Sequence, residues 1–361
     1  MVRGRRVGRY TCGLAHAALL AAGLALSATP GHAQDSAAAH DRRPTRLFRD
    51  STPITFTLTA DFKTIFKDRD TLSTKRFPAT LVFRTEAGDT GTQAVELSTR
   101  GHSRLLPVVC DFPPIRVHFP PADQRLPLFR GQGALKLSVN CRPKDQEYED
   151  FVLEEFLLYR VYNLFTDLSF KVRLAKATYL NTGKGDTVAA GPAFFVEDAD
   201  DVARRNGGEL FEQTGVRFGD VDSATILRAT VYEYMIGNTD WALQLLHNFR
   251  IVRVEPGFYY PVPYDFDFSG IIKTPYAHPS QQLPIRSVRE RIYRGPCPTI
   301  ADLAPIFAEF NARKDAIYGL YQTFPGLDPK RSAQALQYLD EFYKTITDPK
   351  KANTEFRYNC R

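Results

Sequence analysis

Several common signatures of function are missing from this chain. It contains no Gly-x-Ser-x-Gly and no His-Glu-x-x-His, and no cysteine is paired with a histidine at ligand spacing, so hydrolase and zinc-enzyme readings lack support. No two cysteines are close enough for a Cys-x-x-Cys metal knuckle. Beyond the first 33 residues no apolar run approaches the ~20 residues of a membrane span. A one-signed charge is also lacking. The formal net charge of +6 includes Arg3, Arg5, Arg6 and Arg9, and without them 43 basic residues face 41 acidic ones. That near balance gives no reason to expect a nucleic-acid partner. No internal repeat and no long low-complexity block is present.

Those four arginines precede an apolar, small-residue run that closes at Gly31-His32-Ala33. The pattern is that of a secretory signal cleaved after Ala33, which predicts an exported protein, secreted or periplasmic, with no integral membrane segment once the signal is removed. Cys12 would leave with the signal, and Cys110, Cys141, Cys297 and Cys360 would remain. An even number of cysteines in an exported chain predicts disulfides. Cys110 precedes the strand-like IRVHF and Cys141 ends ALKLSVN, whereas Cys297 and Cys360 both lie late in the chain. The expected bridges are therefore Cys110–Cys141 and Cys297–Cys360.

Residues 34–50 are rich in Ala, Asp and Arg and read as a disordered leader. From Pro53 the text alternates. ITFTLTADF, ATLVFRT, AVELSTRG, IRVHF and ALKLSV predict strands, followed by LAKATYLN and TVAAGPAFFVED around a Gly-rich hairpin turn. Between these groups, residues 147–165 place Phe151, Leu157, Leu158, Val161 and Phe165 on one helical stripe. Residues 223–236 predict a second helix with Ser223 at its cap, and two more are expected over 300–323 and 331–346. Strands followed by helices indicate an α+β protein, with a β-rich part over 51–198 and a helical part over 199–361.

At the start of the helical part, Asp240 follows the second helix and Asn248 comes eight residues later. FRIVRV and YYPVPY then predict a hairpin that ends in Asp265-Phe-Asp-Phe-Ser-Gly270. Phosphoryl transfer needs one carboxylate to orient the attacking hydroxyl, and an amide plus a second carboxylate to hold Mg²⁺ against the phosphates. Asp240 fits the first role, and Asn248 with Asp265 or Asp267 fits the second. On a strand, Asp265 and Asp267 share one face, where two acids repel unless a cation or donor stands between them. Competing readings are an Asn238-Thr-Asp turn that uses Asp240 as a cap, and satisfaction of the acid pair by backbone amides or Arg250. His247 reads as a packing or capping residue.

Four segments resemble the CotH (spore-coat protein H) kinase family, a secreted kinase-like group. They are Ser98-Thr-Arg-Gly-His-Ser-Arg104, Ala177-Thr-Tyr-Leu-Asn181, Phe195-Val-Glu-Asp198, and Asn238-Thr-Asp-Trp with His247-Asn248 and Tyr264-Asp-Phe-Asp267. The chain departs from the family pattern in Thr182 after Asn181, in Tyr264 for the usual tryptophan, and in lacking the basic pair after the first motif. The resemblance implies a two-lobed, protein-kinase-like fold with a β-rich N-lobe, one long helix and a mostly helical C-lobe. It implies ATP as co-substrate, Mg²⁺ or Mn²⁺ as cofactor, and a protein or small-molecule hydroxyl acceptor. Lys136 on ALKLSV, paired with Glu154 on the following helix, would cradle phosphates, unless Lys136 is simply solvated. Arg100 and Arg104 would touch phosphates, and Glu197 would mark the adenine-binding hinge, unless its role beside the charged helix is structural. The rival expectation is a pseudokinase-like binding or structural module of the cell envelope.

Overall fold

The computed structural model describes residues 42–120, 126–358 and 360. The signal expected over 1–33 lies outside them. Of the expected leader over 34–50, the described end is not a free segment. Helix α1 (Arg46–Arg49) buries Leu47 and Phe48 in the first hydrophobic core.

Seven strands follow: β1 (Ile54–Ala60), β2 (Phe77–Thr85), β3 (Thr90–Thr99), β4 (Ile115–His118), β5 (Ala134–Val139), β6 (Val172–Asn181) and β7 (Thr187–Val196). They form a closed barrel in the order β1-β2-β3-β4-β5-β7-β6. Neighbours are antiparallel except at the seam, where β1 runs parallel to β6 with Ile54 opposite Ala175. Alternation places Phe56, Leu58, Leu97, Val117, Leu135 and Phe195 in the interior. Their intervening neighbours, including Ser98, Arg116 and Lys136, point outward. Arg116 stands opposite both Ser98 and Lys136 in the ladder. The short helix α2 (Phe62–Ile65) covers one end of the barrel, with Phe62 edge-on to Tyr179.

Helix α3 (Glu147–Asn163) is buried nearly all round. Phe156 and Tyr159 pack on Phe194, an outward residue of β7, and Tyr159 also meets Phe266. Asp198 caps α4 (Ala199–Arg205). A second sheet has the order β10-β9-β8, from β8 (Glu209–Phe211), β9 (Phe249–Val254) and β10 (Phe258–Pro263). FRIVRV and YYPVPY therefore pair as the expected hairpin. Helix α5 (Ser223–Ile236) is capped one residue earlier than expected. Asp222, not Ser223, accepts the Thr225 amide at 2.8 Å. The chain ends in α6 (Ile300–Ala312), α7 (Lys314–Thr323), α8 (Pro329–Ile346) and α9 (Pro349–Tyr358).

The architecture corrects the expectation of a two-lobed, kinase-like fold with a β-rich N-lobe and a mostly helical C-lobe. The strands close into a barrel, and the part beyond Glu197 contains its own three-stranded sheet and an irregular stretch from Tyr264 to Pro298. Periodicity identifies strands but not which edges meet. The seam joins the first strand of the segment to the sixth, a pairing that no local pattern encodes. Both expected disulfides are formed, Cys110–Cys141 with Cα atoms 4.8 Å apart and Cys297–Cys360 at 4.7 Å. Among the described residues no helix is long and apolar enough to cross a membrane.

Candidate functional site

Helix α5 ends at Gly237, which adopts the left-handed conformation (φ 68°). A Cβ there would lie 2.0 Å from the Tyr338 hydroxyl, so only glycine fits. The next four residues form a strapped turn. The Asp240 amide donates to Asn238 Oδ1 at 3.1 Å, and Trp241 Nε1 donates to the Asn238 carbonyl at 3.2 Å. Arg294 donates to the carbonyls of Thr239 and Trp241. The turn that competed with a functional reading of Asp240 is thus present, but it engages the backbone amide and leaves the carboxylate outside it. That carboxylate meets His247 Nε2 at 3.2 Å through Oδ1 and Asn248 Nδ2 at 3.2 Å through Oδ2. The hydrogen bond to Asp240 raises the His247 pKa against partial burial.

Asn248 also donates Nδ2 to the Asp240 carbonyl at 2.6 Å, and its own carbonyl receives the Tyr264 amide at 3.0 Å. These bonds hold the start of β9 and the end of β10 beside Asp240. Asp265 follows, its amide donating to the Tyr159 hydroxyl on α3 at 2.9 Å. Among the described residues, the four non-glycine positions with positive φ are Leu246, Asn248, Asp265 and Lys273. Strained backbone of this kind clusters at functional sites.

Arg104, not Arg250, stands between the two aspartates. Its Nη2 lies 3.5 Å from Asp265 Oδ1 and its Nε 3.3 Å from Asp267 Oδ2. Burial would raise both acids. Arg104, helped by Arg100 and Lys136, holds Asp265 below its ordinary value, whereas Asp267 is pushed up to about 6 by burial, with the Asp265 charge adding to it against Arg104. Glu155 completes the acidic group. Burial and then the Asp267 charge lift it to about 8, and it accepts a hydrogen bond from Ser138 Oγ at 2.8 Å.

A cationic face adjoins these acids. Lys136 Nζ lies 3.8 Å above the Tyr264 ring, and the Arg250 guanidinium lies 4.8 Å from the same ring while bonding the Leu246 and Phe249 carbonyls. Arg100, Arg116 and Lys136 form no ion pair among the described residues. The Nε atoms of Arg100 and Arg116 are buried without a hydrogen-bond partner. Burial, and then Arg100, pushes the Lys136 pKa well down. Unpaired cations at this density call for an anion.

Two expected members lie elsewhere. Glu154 does not reach Lys136. It accepts from Arg331 of α8 at 2.9 Å, because successive helix residues point about 100° apart and only Glu155 turns toward β5. Glu197 is buried in a bidentate pair with Arg205 at 2.9 and 3.0 Å, which ties the end of β7 to α4. The chain pattern did not single out Arg116, although its cross-strand register with Lys136 follows once IRVHF and ALKLSV pair.

The oxygen atoms here suit a hard divalent cation. Asp267 Oδ2 is buried and, despite the nearby Arg104, accepts no hydrogen bond. Asn248 uses its nitrogen on Asp240, while its Oδ1 accepts no hydrogen bond among the described residues. Two carboxylates and an amide oxygen match the preference of Mg²⁺ or Mn²⁺. Among the described residues no group of three or more His, Cys, Asp or Glu side chains is arranged to hold a metal ion, so the amide oxygen would be needed. No protein-family model, curated protein or solved structure matches the chain.

Proposed function

We propose that this site binds a nucleoside triphosphate with a divalent cation and transfers the terminal phosphoryl group to a hydroxyl acceptor. The observation that carries the reading is the juxtaposition of unpaired cations Arg100, Arg116 and Lys136 with the carboxylates Asp240, Asp265 and Asp267. Phosphoryl transfer is largely positioning and charge neutralisation, and both requirements are met by groups of these two kinds. The cations would hold the phosphate oxygens, with Tyr264 fixing Lys136 from below. Asp265, Asp267 and Asn248 Oδ1 would hold Mg²⁺ or Mn²⁺, which supplies neutralisation of charge on the phosphates. Asp240, kept in place by Asn248 and His247, would accept the proton of the acceptor hydroxyl as its oxygen bonds to phosphorus and the nucleoside diphosphate leaves. The motif resemblance to CotH kinases supports this chemistry, and the reading does not depend on their fold. The two disulfides are compatible with an extracellular or periplasmic location.

A second reading has its own observation. Arg104 already neutralises Asp265 and Asp267, as it would in a module that binds an anion without catalysing transfer. A nucleotide titration followed by thermal unfolding, with and without Mn²⁺, separates the two. Transfer chemistry requires Mn²⁺-dependent stabilisation by the triphosphate and release of diphosphate. Stabilisation that ignores Mn²⁺, with no turnover, selects the binding module. No stabilisation by nucleotide rejects both.

A further inference from the structure

A second polar cavity, of about 740 Å³, opens beyond the DFDFSG segment, between residues 271–289, the start of α3 and helix α8. Four cationic side chains line it, Lys273, Arg286, Arg289 and Arg331, with Glu147 as the acid on its wall. Arg331 is neutralised by Glu154 at 2.9 Å and Glu147 at 3.1 Å. Arg289 donates to the Gly270 carbonyl at 3.0 Å and lies 4.2 Å from the Tyr338 ring, so it has contacts but no ion pair among the described residues. The side chains of Lys273 and Arg286 form no ion pair or hydrogen bond among the described residues. Three positive charges thus border one cavity without an ion pair among the described residues, and the neighbouring Glu290 spends its carboxylate on the backbone amides of Arg286 and Ser287 at 3.0 Å. The exposed amides of Gln334 and Gln337 on α8 add further donors without hydrogen-bond partners among the described residues. This wall is continuous with the candidate functional site, because Thr274 Oγ1 donates to the Asp267 carbonyl at 3.0 Å.

We propose that this cavity is a binding site for a doubly charged oxyanion group, a phosphoryl or sulfo group, held by Lys273, Arg286 and Arg289. A dianion with three or more acceptor oxygens matches three cations and flanking amide donors, whereas a neutral ligand would leave the charges facing each other. A planar guanidinium offers two parallel N–H groups to such an anion, and Lys273 adds a point charge. The cavity is far larger than one phosphate, so the group can arrive free or as part of a phosphorylated peptide. It is distinct from the cations Arg100, Arg116 and Lys136, and the inference stands whether or not those bind a nucleotide.

The test uses the full chain and calorimetric titration with inorganic phosphate, sulfate, a phosphoserine peptide and its unphosphorylated form. Chloride at matched ionic strength controls for screening. Arg100→Gln/Lys136→Gln is compared with and without Lys273→Gln/Arg286→Gln, with circular dichroism confirming that each is folded. Saturable phosphate or sulfate binding is expected to persist in Arg100→Gln/Lys136→Gln, where the first cationic face is removed, and to weaken at least about tenfold when Lys273→Gln/Arg286→Gln is combined with it. Tighter binding of the phosphoserine peptide than of free phosphate would identify a modified partner as the source, and equal binding would identify the free ion. Full retention of binding when Lys273→Gln/Arg286→Gln is added to Arg100→Gln/Lys136→Gln, or no binding beyond chloride in Arg100→Gln/Lys136→Gln, overturns the proposal.

Discussion

Replacing Arg104 by methionine keeps the length and apolar stem of the side chain and removes its charge. Asp265 and Asp267 would then lose the cation that lies 3.5 and 3.3 Å away, in a place where the Asp267 side chain is only 7% exposed. At an effective dielectric constant of about 20, one unit pair at that separation is worth about 5 kcal/mol before desolvation. Breaking a buried pair by removing one partner costs about 3–5 kcal/mol in practice. The expected loss at pH 8 is of that order. It should shrink as pH falls. Asp267 already titrates near 6 in the folded protein, above its ordinary value of 3.8. Its ionised form therefore costs stability above about pH 6, and that cost vanishes once the group is protonated in both states below about pH 4. Without Arg104 its pKa rises further, so the deficit should be largest in alkali and smallest near pH 4. The single tryptophan, Trp241, is buried beside Asp240 and reports urea unfolding. Asp267→Asn in the same chain should recover much of the loss, giving a coupling energy above about 1 kcal/mol. Mn²⁺ should stabilise Arg104→Met more than wild type. A deficit under about 1 kcal/mol at pH 8, or one that Asp267→Asn does not reduce, would refute the account of Arg104 as counter-ion.

Asp240→Asn is expected to abolish phosphoryl transfer and spare nucleotide binding, whereas Asp265→Asn or Asp267→Asn should weaken Mn²⁺-dependent nucleotide binding; full turnover in Asp240→Asn would remove it from the proton-accepting role. Cys110→Ser/Cys141→Ser opens a loop of 31 residues and should lower stability by about 3–4 kcal/mol in the chain-entropy treatment, read as a shift in the urea midpoint. His118 is pushed down to about 4 by burial and then by Arg76 and Arg116, while bonding Ser98 at 2.9 Å. Its neutral form therefore contributes stability fully above about pH 6.5, lost as pH falls toward 4. His118→Gln should flatten that acid limb by on the order of 1 kcal/mol after allowing for solvent screening, and an unchanged limb would assign the slope to other groups.

Local features of this protein were readable from the amino-acid sequence alone. Alternation marked all seven barrel strands, apolar spacing marked α3 and α5, and chain order paired Cys110 with Cys141 and Cys297 with Cys360. The succession Asp240, Asn248, Asp265, Asp267 identified side chains that the fold brings together, because the hairpin between them is itself a local structure. Closure was not readable. The parallel seam of β1 and β6 joins edges distant along the chain, and alternation carries no register between them. Charge partners were not readable either. Glu154 and Glu155 are neighbours in sequence, yet helix geometry sends one to Arg331 of α8 and the other to Ser138 of β5. Arg104 reaches Asp265 and Asp267 only because the packed structure sets a loop after β3 against the end of β10. Periodicity, caps and turns are properties of a few consecutive residues, whereas a counter-ion or a sheet edge is chosen by packing among residues that only the folded chain makes neighbours.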